Sequence, residues 1–151
     1  SAPGDCFLGI DRRRKRVENV SRKIGRTGLT NIRLLLHEAS DAISALPSCS
    51  VTTYFLFFPD PWPKRRHHRR RLVAESFTDA IHRTLIPEGL IHIKTDHHDY
   101  FQQIHGVFKK DTRFTETPPY EPAEGEKTEF EIVFSAMGAR IERSSFRKVA
   151  S

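Results

Sequence analysis

Apolar positions along this chain fall into short blocks of two kinds. Some are nearly continuous: Cys6-Phe7-Leu8-Gly9-Ile10, Ile32-Arg33-Leu34-Leu35-Leu36, residues 51–58, and Leu90-Ile91-His92-Ile93-Lys94. Runs of this length predict strands, and residues 51–58, rich in β-branched and aromatic side chains, predict one buried on both faces. Between the runs the apolar spacing changes to three and four residues. Val17, Val20 and Ile24 predict an amphipathic helix over residues 12–24 with a basic outer side, closed by Gly25 and Gly28. Val73, Phe77, Ile81 and Leu85 predict a helix over residues 72–85, and Phe101, Ile104 and Phe108 another over 100–109. Residues 42–46 fit a short helix stopped by Pro47, and Pro87-Glu88-Gly89 a turn.

Strand, helix and strand at this spacing give βαβ units with parallel strands, so the chain reads as α/β. The C-terminal third is patterned less sharply. Residues 114–116 predict a strand and the proline-rich residues 118–127 a long loop. Residues 128–135 alternate loosely, with Phe130, Ile132 and Phe134 facing one way, and predict a final strand. Residues 1–5 read as a loop start and residues 141–151 as a basic tail.

One stretch breaks the pattern. After the run of residues 51–58, Pro59, Pro61 and Pro63 forbid further strand or helix and stiffen a loop that holds Asp60 and Trp62. Lys64 to Arg71 then supply eight consecutive basic or titratable residues. A strand thus delivers a carboxylate and an aromatic plane to a sheet edge, beside a dense cationic surface. In open α/β sheets that edge is where ligands bind. By itself a run of Lys and Arg is as well read as a solvated face or a localisation signal. Trp62 either stacks on a base or braces the loop.

Composition narrows the partners. At 151 residues the chain suits one domain with a real core, and its formal charge of +6 favours polyanions. No apolar run is long enough to span a bilayer, and no signal peptide opens the chain. Cys6 and Cys49 lack Cys-x-x-Cys spacing and read as reduced thiols. Asp96, His97, His98 and Asp99 lie in one segment, whereas metal ligands usually converge from several, so no metal is expected. Asp96 reads as a pocket residue and Asp99 as a helix cap. Asp11, at the tip of a strand before a helix, suits either a ribose diol or a helix cap.

Residues 58–71, Phe-Pro-Asp-Pro-Trp-Pro-Lys-Arg-Arg-His-His-Arg-Arg-Arg, resemble the signature of the bacterial tRNA (guanine-N7)-methyltransferases. That signature reads Phe-Pro-Asp-Pro-Trp, a variable residue, Lys, then His and paired basic residues. Thr95-Asp96 and Thr128-Glu129-Phe130-Glu131 are similar to further family motifs in order and spacing, so the resemblance runs from about Phe7 to about Gly138. It implies a Rossmann-like doubly wound sheet of the S-adenosylmethionine-dependent methyltransferase type, with S-adenosylmethionine as cofactor and tRNA as partner. It also implies a cytoplasmic monomer or homodimer without membrane or metal. Residue by residue it implies Asp11 at the cofactor's ribose and Glu38 and Ala39 at its adenine, where the family often has Asp in place of Glu38. Asp60 would be catalytic. Asp96, Thr128 and Glu131 would meet the guanine, and Lys64, His67, Arg70 and Arg71 the tRNA.

One motif of such enzymes is missing: no Gly-x-Gly-x-Gly follows a strand, and Gly25-Arg26-Thr27-Gly28 follows a helix instead of opening one. The chain is therefore expected to begin just before the second strand of the sheet, as an N-terminally incomplete methyltransferase domain. The first strand normally lies between the strands of residues 6–10 and 51–58. Its loss would leave backbone groups without partners at about 1–3 kcal/mol each. The alternative is a non-catalytic basic RNA-binding module derived from such a domain.

Overall fold

Parallel pairing of residues close in sequence organises the first part of the chain. β1 (Phe7–Asp11) runs beside β2 (Ile32–Leu36), with Phe7 opposite Ile32 and Asp11 opposite Leu36. α1 (Arg14–Thr27) connects them and α2 (Ala39–Ala45) follows. This is the expected βαβ unit, but α1 runs through Gly25. Gly28, at φ 68°, is the residue that ends it, because an L side chain there would meet the following carbonyl. Val17 and Ile24 are half-buried while Val20 stays exposed. The structure, a computed structural model, describes residues 4–123 and 125–150, without the side chain of Glu75. Residues 1–3 of the expected opening loop, Glu124 of the expected 118–127 loop and Ser151 of the expected tail lie outside the described residues.

Two compact units divide the chain, Ser1–Leu46 and Pro47–Ser151. The second holds β3 (Val51–Phe57), a 3₁₀ turn (Arg65–Arg70), α3 (Glu75–Thr84), β4 (Leu85–Thr95), α4 (His98–Lys110), β5 (Phe114–Thr117), α5 (Glu129–Ala136) and β6 (Glu142–Lys148). Its four strands lie in the order β3-β4-β6-β5. β3 and β4 are parallel, as expected of the βαβ spacing, while β6 is antiparallel to β4 and β5. Among the described residues β1 and β3 are each paired on one side only.

The core of the second unit lies on one face of its sheet. Val73, Phe77, Ile81 and Leu85, the predicted helical stripe, are all buried, as are Ile91, Ile93, Tyr100, Ile104 and Phe108. Phe108 stacks on Phe146 of β6 at 5.3 Å and meets Phe114 of β5 edge-on at 5.2 Å. β3 is only half-covered, with Phe55 50% exposed, so the expectation of a strand buried on both faces does not hold.

Three further expectations are corrected. β4 does not stop for a turn at Pro87-Glu88-Gly89; it runs through a bulge where the register slips between Val51–Leu85 and Thr53–Leu90. Glu88 takes φ 62°, and a Cβ on Gly89 would lie 2.9 Å from the Ile86 carbonyl, so this crossing needs glycine. Residues 129–136 form a helix, not a strand. The Thr128 hydroxyl accepts from the Glu131 N–H at 3.2 Å, and the Glu131 carboxylate accepts from the Thr128 N–H at 3.0 Å, a reciprocal cap that starts a helix. The expected basic tail is the strand β6. Its Lys148 is buried because the ammonium donates to the carbonyls of His82 and Leu85, both at 2.8 Å.

Phe146 tests that last correction. A tail residue could be shortened freely, but Phe146→Ala in a packed strand should cost about 3–5 kcal/mol in urea unfolding. A loss under about 0.5 kcal/mol would return residues 142–148 to the tail.

Candidate functional site

The first unit carries its expected residues at the C-terminal tips of β1 and β2. Asp11 ends β1 with its side chain about one-third exposed. One carboxylate oxygen accepts from the Arg13 N–H at 2.7 Å and the other faces the Arg16 guanidinium at 3.4 Å. Asp11 therefore organises the start of α1, although Arg13 is the capping position itself. Glu38 precedes α2 and pairs loosely with Arg12 at 3.6 Å, and Ala39 opens the helix. The donor set suits a nucleoside: carboxylates at the tips of neighbouring parallel strands are acceptors for a ribose diol and for an exocyclic amine. Asp11, Glu38 and Ala39, the residues expected at a nucleoside cofactor, thus stand at the ends of β1 and β2, with acceptors on the first two.

In the second unit the loop after β3 begins with a hydrogen bond from the Phe58 N–H to the Lys94 carbonyl at 2.8 Å. Phe58 and Trp62 then take φ values of 51° and 44°, left-handed conformations that bulky residues avoid at a cost of about 1–3 kcal/mol each. Such strain persists only where the surroundings impose it. Phe58 packs at 5.6 Å on Phe130 and 5.5 Å on Phe134 of α5. Trp62 lies under the Arg70 guanidinium at 5.1 Å and meets His67 edge-on at 5.7 Å. These contacts tie Trp62 to the basic turn. Asp60, between the strained residues, is half-buried and lies near Tyr100; burial pushes that phenol above its ordinary value and the Asp60 charge adds to the shift.

The basic run divides into two roles. Lys64, Arg65, Arg66, Arg69 and Arg70 are exposed, and His67 is half-buried. Arg71 is not part of that surface, contrary to its expected place against tRNA. It is 8% exposed, donates to the Pro61 carbonyl at 2.7 Å and to Gln103 at 2.6 Å, and lies 4.8 Å over the Tyr100 ring. It ties the proline loop to α4.

Asp96 follows the end of β4 and is exposed, at the same sheet edge as Asp60. His97, not Asp99, caps α4: its ring accepts from the Tyr100 N–H at 3.3 Å. Glu131 is buried rather than open to a ligand. Its carboxylate takes the Lys94 ammonium at 2.8 Å, the Arg143 guanidinium at 3.4 Å, and the Thr128 N–H and hydroxyl at 3.0 and 3.2 Å. Burial raises the Glu131 pKa, but Lys94 and Thr128 outweigh that and hold it below the ordinary glutamate value. The stability this gives is present at neutral pH and is lost as pH falls through that lowered value.

Lys94 is the residue that sequence reasoning missed. A lysine closing a run otherwise read as a buried strand is a signal, because an ammonium enters a core only with a partner. Lys94 and Glu131 are each 1% exposed, and the ammonium also lies 4.5 Å from the Phe57 ring and 4.9 Å from the Tyr120 ring. Among the described residues no group of three His, Cys, Asp or Glu side chains could hold a metal ion, and no helix is long and apolar enough to cross a membrane.

Comparison with known proteins bears on the family and the fold. A family model described as "Putative methyltransferase" matches residues 1–144. The tRNA (guanine-N(7)-)-methyltransferase of Nitrosococcus oceani is 38% identical over 133 residues, 87% of this chain and 56% of that protein. Its namesake in Nitrosomonas europaea is 33% identical over 98% of this chain and 68% of that protein. The chain thus spans about half to two thirds of the length of such curated relatives. Among solved structures, an rRNA methylase from Streptococcus thermophilus superposes with a TM-score of 0.60 at 14% identity, over 95% of this chain and 74% of that one. A methyltransferase from Geobacter sulfurreducens gives 0.61 at 11% identity, over 97% of this chain and 59% of that one. At these identities the likeness is one of fold, the α/β Rossmann-like methyltransferase fold.

The two arginines at the end of the basic run should therefore respond differently to truncation. Arg71→Ala removes two charge-assisted hydrogen bonds and should lower stability by about 2–3 kcal/mol in a thermal melt. Arg70→Ala removes one exposed contact over Trp62 and should cost under about 1 kcal/mol. Equal losses would contradict the division.

Proposed function

This chain belongs to the tRNA (guanine-N7-)-methyltransferase family, and on that premise we propose that it transfers a methyl group from S-adenosylmethionine to N7 of a guanine in tRNA. The observation that carries the proposal is the site at the C-terminal edge of β3 and β4. A strained, proline-braced loop presents Asp60 there, next to an exposed cationic turn.

S-adenosylmethionine supplies an electrophilic methyl carbon. Guanine N7 has a lone pair and no proton, so no residue need act as a base to generate the nucleophile. The work left to the protein is alignment, an orientation effect, and tolerance of the positive charge that develops on the ring. Asp60 suits both. Its carboxylate can accept from the guanine N1 and N2 hydrogens, and its negative charge opposes the developing one. Asp96, exposed at the same edge, is a second acceptor. Thr128 stands at the start of α5, and Glu131 acts through it, because Glu131's own oxygens are already occupied. Lys64, His67 and Arg70 contact the tRNA backbone, which fixes register without reading sequence. Asp11, Glu38 and Ala39 hold the nucleoside of the methyl donor. The substrate locates this work in the cytoplasm.

Single-turnover kinetics in the full-length protein test the role of Asp60. Asp60→Asn keeps the shape and one acceptor but removes the charge. It should slow methylation by roughly thirty- to a thousandfold, while tRNA and cofactor affinities change little. A folded variant with the parent's rate would refute the assignment. Lys64→Ala and Arg70→Ala should each weaken tRNA binding and reduce its salt dependence by roughly one unit of slope. Tight tRNA binding without methyl transfer in the full-length parent would instead support a binding module.

A further inference from the structure

Lys94 stands where three parts of the second unit meet. Its backbone carbonyl receives the Phe58 N–H that opens the Asp60 loop. Its neighbours in sequence, Thr95 and Asp96, lead to the exposed edge. Its side chain crosses to Glu131, 37 residues on, and that carboxylate holds the Thr128 N–H and hydroxyl. Phe130 and Phe134 stack at 5.8 Å and pack on Phe58, but Ile132, Val133 and Met137 are 57%, 53% and 74% exposed. An eight-residue helix with most of its apolar side chains in water is not fixed by burial.

We propose that Lys94 is a positioning residue: its buried ammonium holds Glu131, and through Glu131 it sets Thr128 and the start of α5 against the loop that carries Asp60. The proposal rests on the methyl-transfer reading, for which Thr128 and Asp60 must face one substrate. Two features separate it from simple stabilisation. The Glu131 carboxylate joins the Thr128 cap of its own helix to two other elements, Lys94 on β4 and Arg143 on β6, so it fixes a position and not only a charge. The rings of Phe57 and Tyr120, 4.5 and 4.9 Å from the ammonium, give it partners other than α5, so its place does not depend on the helix alone. The other titratable groups nearby are Glu121, 3.6 Å from Arg143, Glu126, which accepts from the Tyr120 hydroxyl at 3.3 Å, Tyr120 itself, whose phenol burial pushes up, and His92, whose imidazole burial and then the Lys94 charge push below its ordinary value.

The test compares the full-length protein with Lys94→Met and with Lys94→Met/Glu131→Gln. On each, hydrogen exchange is read at the amides of α5 and of β4, and the single-turnover rate on tRNA is followed from about pH 6 to about pH 9 beside tRNA affinity. Lys94→Met should leave β4 protected, lower α5 protection by about tenfold or more, and slow methylation by about tenfold or more with tRNA affinity within about twofold. Its rate should also acquire a pH dependence beyond the parent's, because Glu131 is left enclosed with only the more distant Arg143 guanidinium for a cation. The double variant has no charge to strand. It should lose the pH dependence yet remain slow, and it carries the test if Lys94→Met fails to fold. Unchanged α5 protection, or the parent's rate in the double variant, overturns the proposal. If the full-length parent transfers no methyl to tRNA, the functional reading fails, while the exchange data still decide whether Lys94 positions α5.

Discussion

The parallel ladder between β3 and β4 runs on past the last paired residues, Phe57 and Lys94, in one more hydrogen bond from the Phe58 N–H to the Lys94 carbonyl. Each candidate residue of the second unit is set out from that point. Asp60 lies two residues beyond it on one strand, Asp96 two beyond it on the other, and Thr128 is reached through the Lys94 side chain. Parallel strands send their following loops from the same edge, so this pairing alone brings residues 36 positions apart in sequence to one place. A slip of one residue would reverse the face of every side chain on β3. It would put Leu56 or Phe58 where Phe57 is and take the Phe57 ring away from the Lys94 ammonium.

The loop beyond that point shows how strain is held. Two left-handed bulky residues cost together about 2–6 kcal/mol, which no short loop bears alone. The opposing contributions are specific. Arg71 donates to the Pro61 carbonyl and to Gln103, and hydrogen bonds from a charged group are worth about 1.5–3 kcal/mol each. The three prolines lower the entropy lost when the loop is fixed. Phe58 gains two aromatic neighbours. The terms are of similar size, so the loop holds Asp60 in place without relaxing to a more ordinary path.

Much of this architecture was legible because burial and period agree wherever a helix covers the sheet. Val73, Phe77, Ile81 and Leu85 announced α3, and the apolar runs announced β1 to β4. The resemblance of residues 58–71 picked out the loop. What was misread lies where two signals compete. In residues 128–135 the loose alternation concealed a capping box that Thr128 and Glu131 spell out. In residues 142–148 charge hid a strand, because Arg143 and Lys148 are buried or half-buried by partners distant in sequence. Arg71 was indistinguishable from its neighbours by type. Only tertiary contacts with Pro61 and Gln103 separate it, and these are invisible to composition.

The 3₁₀ geometry of the basic turn gives that separation a rule. With three residues per turn, positions three apart line up one above another. His67 and Arg70 share the Trp62 column, while His68, with a buried ring nitrogen, and Arg71 share the inward one. The segment therefore has a phase as well as a charge. Deleting one arginine and restoring it at the other end of the run would leave the composition untouched, yet it would turn each side chain by a third of a revolution. With the arginine taken from position 65 and added after position 71, positions 70 and 71 would still hold arginine, but the inward place of His68 would receive a guanidinium instead of a ring, so two sequences with the same net charge would differ as a lock does from the same pins in another order.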